Sequence, residues 1–494
     1  MTITPDVNSL RIDALHRRVQ ALEDRFAPTR PVPPTEPDPP VIVKPPVKPP
    51  VGPDMMSDPY NLALRDYIGT LPFARLMPAF PYYLIPTEQE CDWIIEGTTA
   101  KPQRRGFETI NGQYPMARAY EASKLAGVQG KITFGVKGDI GQQMIGFGYG
   151  HPGYSTLRFQ GEDIDVDIVG LDDEAEMRTT LGGAHGFIES VRFFNIGLRG
   201  TASNFIVATI GDGAHETDVG DVVFDGCAWL NNPSWSEGDY APHTSGLHLG
   251  DHRSLILRRH RYEGFRGREH CLYDKSSSHG PTWIIQNDLK GGNRTWFQRR
   301  PDPGHNIEPV GDFCVLLNQG DGYGWDHGDD GSSFAGGSAI TVWTCPMDRV
   351  FIAGNAVRDA KYGCLMLGAQ PISQGNFLNP AGFPIREAWI WDNYFDNSHT
   401  GHPDNLPSRS AVAITAVQHA HIGPNQFVKG AELVLDNEWG MNAHGIRNGK
   451  VTLYGEQYAA MPIKTYRDTP SGRLVTGAEK EAMTVPLPAT GARR

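Results

Sequence analysis

Three stretches of the chain concentrate side chains that could act on a carbohydrate. Residues 231–251 carry Trp235, Glu237, Asp239, Tyr240, His243 and His248. Residues 263–279 carry Arg266, Arg268, Glu269, His270, Asp274 and Lys275. Residues 320–331, GDGYGWDHGDDG, carry Asp321, Tyr323, Trp325, Asp326, His327, Asp329 and Asp330. Aromatic rings stack on the apolar faces of pyranoses, and acids bind their hydroxyls. Trp235, Tyr240, Tyr323 and Trp325, with His270 and Lys275, are therefore the candidate substrate-binding groups. Two carboxyl groups about 5–10 Å apart can hydrolyse a glycosidic bond. Glu269, Asp274, Asp326 and Asp329 are the candidates for that work. The alternative is β-elimination, in which Lys275, His270 or an arginine takes the C5 proton of a uronic acid while an acid or metal neutralises its carboxylate. Against both stands the conformational preference of Asp and Gly for exposed turns, which fills loops with acids that do no chemistry.

No metal or cofactor is expected. D-H-G-D-D-G lacks the ligand spacing of an EF-hand loop. Asp163, Asp165 and Asp167 alternate with Ile164, Val166 and Ile168, so the acids share one strand face and run parallel rather than converging. A solvated face is the reading there. Calcium is the alternative at both places, and neither place indicates it.

The elements that must hold such loops follow from composition and pattern. The chain has 494 residues, 57 of them Gly and 38 Pro, a turn-rich balance that disfavours a helical bundle. A net charge of −12 without a long basic run excludes a general nucleic-acid footprint. No apolar run is long enough to span a bilayer. The start has neither the basic nor the apolar region of an ordinary secretory signal, and the six scattered cysteines fit synthesis in a reducing cytoplasm.

Residues 6–26 predict an amphipathic helix whose seam is Ile12, Leu15, Val19, Leu22 and Phe26. Such a helix is marginal alone, so self-association is expected. The competing reading packs it on its own domain. Twelve of the 26 residues from Pro28 to Pro53 are Pro, which predicts a polyproline-II strut.

From about Phe187 a short pattern recurs: apolar, two residues, a turn residue that is often Asn, one residue, apolar. Its clearest copies are I-A-G-N-A-V at 352–357, I-W-D-N-Y-F at 390–395 and I-G-P-N-Q-F at 422–427. The turn positions are 196, 227, 260, 287, 318, 355, 393 and 425, and His260 replaces Asn in one copy as a ladder member. A second alternating strand precedes several copies, as in S-G-L-H-L-G at 245–250, S-A-I-T-V-W at 338–343 and S-A-V-A-I-T at 410–415. Repeats of this kind bury an apolar face only by stacking, with Asn side chains bonding above and below. The fold class is thus all-β: a parallel β-helix body with a short N-terminal coiled-coil helix and a proline-rich stalk. The organisation is 1–27 oligomerising helix, 28–56 linker, 57–160 head or cap, 161–435 parallel β-helix and 436–494 C-terminal cap and tail.

The I-x-x-N-x-F repeat with its preceding short strand resembles the single-stranded right-handed β-helix of the pectate-lyase-like superfamily, particularly as used by bacteriophage tail spikes. The resemblance spans about residues 160–435 and matches no catalytic motif residue by residue. It implies a homotrimeric virion spike or fibre in the tail, neck or capsid appendage. Such a protein would bind a bacterial surface glycan, attach to other virion proteins through its N-terminus, and act on neither nucleic acid nor membrane. Depolymerisation by hydrolysis or elimination would be a secondary activity. The alternatives are a free bacterial polysaccharide lyase, hydrolase or epimerase, and a non-catalytic structural virion protein.

Overall fold

The computed structural model describes residues 55–104, 106–146, 164–182, 188–199, 219–230, 247–249, 252–263, 270–274, 280–291, 295–299, 311–322, 338–342, 347–360, 363–368, 385–396, 410–428, 432–436, 447–469 and 471–488. The expected N-terminal helix and proline strut lie outside these residues. The described strands form three sheets of 15, 10 and 9 strands, here called A, B and C. The chain visits them in a repeating order. Ser254–Arg258 lies in A, Arg261–Tyr262 in B and His270–Asp274 in C; then Thr282–Ile285, Asp288–Lys290 and Thr295–Arg299 return to A, B and C. Each strand pairs in parallel with its counterpart one coil on, as in Leu255↔Thr282 and Asp274↔Arg299. The body is therefore a stack of long parallel sheets, compatible with the expected β-helix. The second strands expected at 245–250, 338–343 and 410–415 are Leu247–Leu249, Ile340–Val342 and Val412–Ile414, all in sheet C. Parallel pairing also reaches beyond 161–435, from Trp93↔Phe134 at one end to Leu453↔Thr484 at the other.

Alternation decides what faces inward. In Ser254–Arg258, Leu255 and Leu257 join the interior core while Ile256 points to the opposite face. That outer face of sheet A is apolar too, with Val169, Phe194, Val223, Ile256, Trp283 and Phe351 along it. It is covered by residues 59–86. Helix α1 (Pro59–Thr70) starts where Asp58 accepts from the Tyr60 N–H at 2.8 Å, with Pro59 preorganising the first turn. Beyond it the chain runs back along the sheet: Phe73 meets Phe351 and Trp389, Phe80 meets Trp283, and Tyr83 meets Phe194. Gly354, at φ +66°, gives α1 its room, since a Cβ there would sit 2.5 Å from the Tyr67 hydroxyl. A buried polar clamp adds to the contact. Arg259 pairs with Asp225 and reaches Asp58 at 3.2 Å, while Arg258 donates to Asn61 at 2.6 Å.

Both ends of the stack are closed. A hairpin of Trp93–Glu96 and Thr99–Pro102 sits at one end, with helix α2 (Pro115–Leu125) burying Met116, Ala119 and Tyr120 in the core. At the other end Tyr458, Ile463 and Val475 enter the same core, and Ile463–Thr465 pairs antiparallel with Arg473–Leu474. These elements cover the apolar core where it would otherwise be open at the two ends. Among the described residues no helix is long and apolar enough to cross a membrane.

The acidic strand Ile164–Gly170 differs from the solvated face expected of it. Asp167 is buried and pairs with Arg192 from the next coil, Nε to Oδ1 at 2.7 Å, and with Lys131 at 3.2 Å. Asp165 accepts from the Ser190 hydroxyl. Stacking brings a counter-charge that a single strand cannot reveal.

The turn between sheets A and B carries the repeat signature. Residues 195, 226, 259, 286, 317, 354 and 392 all have φ between 48° and 70°, one place before seven of the eight turn positions; Pro424 precedes the eighth. The asparagines that follow form a buried ladder. The side-chain amide of Asn287 donates to Asn318 Oδ1 at 2.8 Å, and Asn318→Asn355, Asn355→Asn393 and Asn393→Asn425 repeat the bond at 2.9 Å. Each backbone N–H in the row donates to the same oxygen. Tyr458 closes the row, 3.3 Å from Asn425 Nδ2.

His260 is the first rung, its N–H donating to Asn287 Oδ1 at 2.8 Å and its ring centroid 4.2 Å from that of Trp229. Among the described residues neither ring nitrogen has a hydrogen-bond partner, and burial pushes the imidazole pKa down to about 3. The folded protein therefore keeps the ring neutral where the unfolded chain would protonate it, below the ordinary value of 6.5. Stability from this group is full above about pH 6.5 and is lost as pH falls toward 3. At about pH 4.5 the loss should be about 2–3 kcal/mol. His260→Asn should flatten that slope and extend the ladder by one bond. Unfolding midpoints of both proteins across this range check it, and parallel slopes would exclude His260 as the source.

Candidate functional site

The three loop stretches singled out by composition are anchored within four successive coils, the first two on adjacent coils and the third two coils further on. Their flanking strands are Ala228–Leu230 with Leu247–Leu249, Arg261–Tyr262 with His270–Asp274, and Gln319–Asp321 with Ile340–Val342. In each pair the first strand lies in sheet B and the second in sheet C. In sheet B, Ala228 pairs with Arg261 and Asp288 with Gln319; in sheet C, Leu247 pairs with Leu272 and Phe297 with Ile340. The anchors of all three stretches thus share one edge of the stack. Trp235, Tyr240, Glu269, Lys275, Tyr323, Trp325, Asp326 and Asp329 lie outside the described residues.

Asp274 and His270 are described, and both belong to the body. Asp274 ends its sheet C strand directly beside Arg299, its register partner. The carboxylate is wholly buried, pairs with the Arg299 guanidinium, accepts from Thr282 Oγ1 at 3.0 Å and lies 3.0 Å from His252 Nε2. Thr282 opens the sheet A strand Thr282–Ile285 and His252 immediately precedes Arg253 and the strand at Ser254, so this group locks the corner from C to A across coils. His270 is also buried, with Nδ1 bonded to Thr295 Oγ1 and its ring 4.8 Å from that of Tyr273.

A second group converges where composition drew no attention. Glu387 lies on Ile385–Trp391 and His419 and His421 on Val417–Ile422, adjacent strands of sheet A paired Glu387↔His419 and Trp389↔His421. Alternation turns Glu387 and both histidines to the same outer face. One ligand atom from each lies within 4.8 Å of the others. The two imidazoles are 3.8 Å apart by centroid, and His421 stacks on Trp389 at 3.7 Å and 2°. Tyr454 Oη bonds His421 Nδ1 at 2.9 Å, and Thr452 Oγ1 lies 3.3 Å from His419 Nε2. Burial pushes the His421 pKa down to about 3, reinforced by His419 and Lys450. Burial also lowers that of His419, with Lys450 adding to the effect and Glu387 opposing it. Both shifts favour the neutral ring over the protonated one.

The signal for this group was present in the repeat. Turn positions 393 and 425 stand 32 residues apart, the separation of the Asn393–Asn425 rung. Adding 32 to 387 gives 419, and adding it to 389 gives 421, so ladder spacing alone aligns Glu387 with His419 and Trp389 with His421. No protein family, curated protein or solved structure matches the chain.

Proposed function

We propose that this chain is a phage or phage-like virion spike or fibre protein that binds a bacterial surface polysaccharide. The observation that carries the reading is the shared edge between sheets B and C. Sequence stretches rich in Trp, Tyr, Asp and His are anchored there within four successive coils of a parallel stack. A polymer with a repeating unit can be gripped along such an edge by groups offered from successive coils. The left-handed turn residues and the asparagine ladder support the finer fold reading, a right-handed β-helix of the pectate-lyase-like kind used in tail spikes. The seam of residues 12–26 and the proline-rich segment support trimerisation and projection from a particle.

Depolymerisation belongs to the same surface. The full chain should retain one member of a panel of capsular polysaccharides. New reducing ends without the ultraviolet absorbance of an unsaturated uronate would assign hydrolysis, and both together would assign elimination. Trp325→Ala and Tyr240→Ala should each weaken retention by about tenfold while leaving the unfolding midpoint unchanged, since stacking groups contribute about 1–2 kcal/mol each. Sedimentation supplies the second arm. The full chain should run as a trimer, and a chain beginning at Met55 as a smaller species. A monomeric full chain that binds no member of the panel would overturn the proposal.

A further inference from the structure

We propose that Glu387, His419 and His421 bind a divalent transition metal of the zinc class on the outer face of sheet A. This inference stands apart from the glycan reading and uses none of its residues. Two imidazoles and one carboxylate are a donor set that suits Zn²⁺ and its neighbours, whereas Ca²⁺ and Mg²⁺ take oxygen ligands. Two ligand atoms each about 2.1 Å from one ion can be at most about 4.2 Å apart. The observed spread is no more than 4.8 Å. A small rotation of the Glu387 side chain, which retains 23% exposure, is enough to close it.

His421 shows what the site lacks. Its side chain is only 8% exposed, and its Nε2 lies 3.3 Å from Glu387 Oε1 without making a hydrogen bond. A buried imidazole nitrogen aimed at a carboxylate it does not bond is in place to share a cation with it. The other face of the ring's chemistry is already satisfied, because Nδ1 is bonded to Tyr454 Oη and the plane is pinned against Trp389. Outer partners of this kind orient metal-binding histidines and fix their tautomer. The nearest competing cation on the Glu387 strand side is otherwise engaged: Arg349, in register with Glu387, is bidentate to Asp312 at 2.9 and 2.6 Å. Lys450, in register with His419, is a charge that opposes a metal here. A bound ion would tie coil 385–391 to coil 417–422 and, with three protein ligands, leave a position for water or a ligand oxygen.

The test is titration of the untagged, chelator-stripped full chain with Zn²⁺ and with Co²⁺, read by calorimetry and by the visible absorption of bound Co²⁺. One equivalent per chain should bind, with absorption intensity typical of four- or five-coordination. Glu387→Gln and His421→Ala should weaken Zn²⁺ by at least about tenfold, and Tyr454→Phe by about tenfold through the loss of ring orientation. Lys450→Gln should tighten it by about threefold, a gain that a folding defect cannot imitate. Ca²⁺ should not displace Co²⁺. Absence of saturable binding, or an affinity unchanged in Glu387→Gln and in Lys450→Gln, would overturn the proposal.

Discussion

Asn355→Leu should destabilise the protein by about 4–6 kcal/mol. The Asn355 amide uses its full hydrogen-bonding capacity while only 2% exposed. Nδ2 donates to Asn393 Oδ1 at 2.9 Å and to the Val315 carbonyl at 2.8 Å. Oδ1 accepts from the Asn318 backbone N–H at 3.1 Å and from Asn318 Nδ2 at 2.9 Å. Leucine is close in size but satisfies none of these, and each orphaned buried group costs about 1–3 kcal/mol. The neighbours cannot relax toward water because the rungs above and below are buried as well. Asn111→Leu is the control, since Asn111 is exposed and its side chain accepts from the Thr99 hydroxyl at the surface. That change should stay within about 1 kcal/mol. Denaturant midpoints decide between them: equal shifts would mean that the ladder is not what holds the turns.

Asp274→Ala should cost about 3–5 kcal/mol, because it strands a buried guanidinium. Arg299 is wholly buried. Beyond Asp274 it donates to Thr282 Oγ1 at 3.2 Å, and its Nε and Nη2 have no hydrogen-bond partner among the described residues. Replacing both members, Asp274→Leu with Arg299→Met, should recover most of the loss, as removing a buried pair together spares its desolvation. This cycle also separates two roles for Asp274. A catalytic carboxylate would lose turnover on a glycan while the single variant kept its midpoint. A corner lock would lose the midpoint first, and the double variant would restore it. The second result is the expected one.

Much of the body could be read from residues alone. The turn positions, the second strands in sheet C and the strand at Lys450–Tyr454 all coincide with described elements. They were readable because each coil repeats a local rule: a left-handed turn residue, then a side chain that bonds its own copy. His260 likewise sits in the ladder row that its place in the repeat implies. The site was far less readable. Asp274 sits in a stretch that resembles an exposed loop, yet the register with Arg299 takes it out of water. Glu387 and the two histidines are separated by some thirty residues, and only the ladder spacing makes them neighbours.

The covering of sheet A marks the same boundary. Ile256, Trp283 and Phe351 are apolar on a face that period-two alternation would leave to solvent, and residues 59–86 account for them. Nothing in the repeat names that segment, since Phe73, Phe80 and Tyr83 meet partners hundreds or scores of residues away without a period. By itself the sequence determined the translation from coil to coil and the inward rows, because both depend on short-range turn geometry and on like side chains stacking. Only the tertiary structure decided which outward faces are covered, which acids are paired and which histidines meet a carboxylate, because those depend on non-periodic contacts between coils and strap.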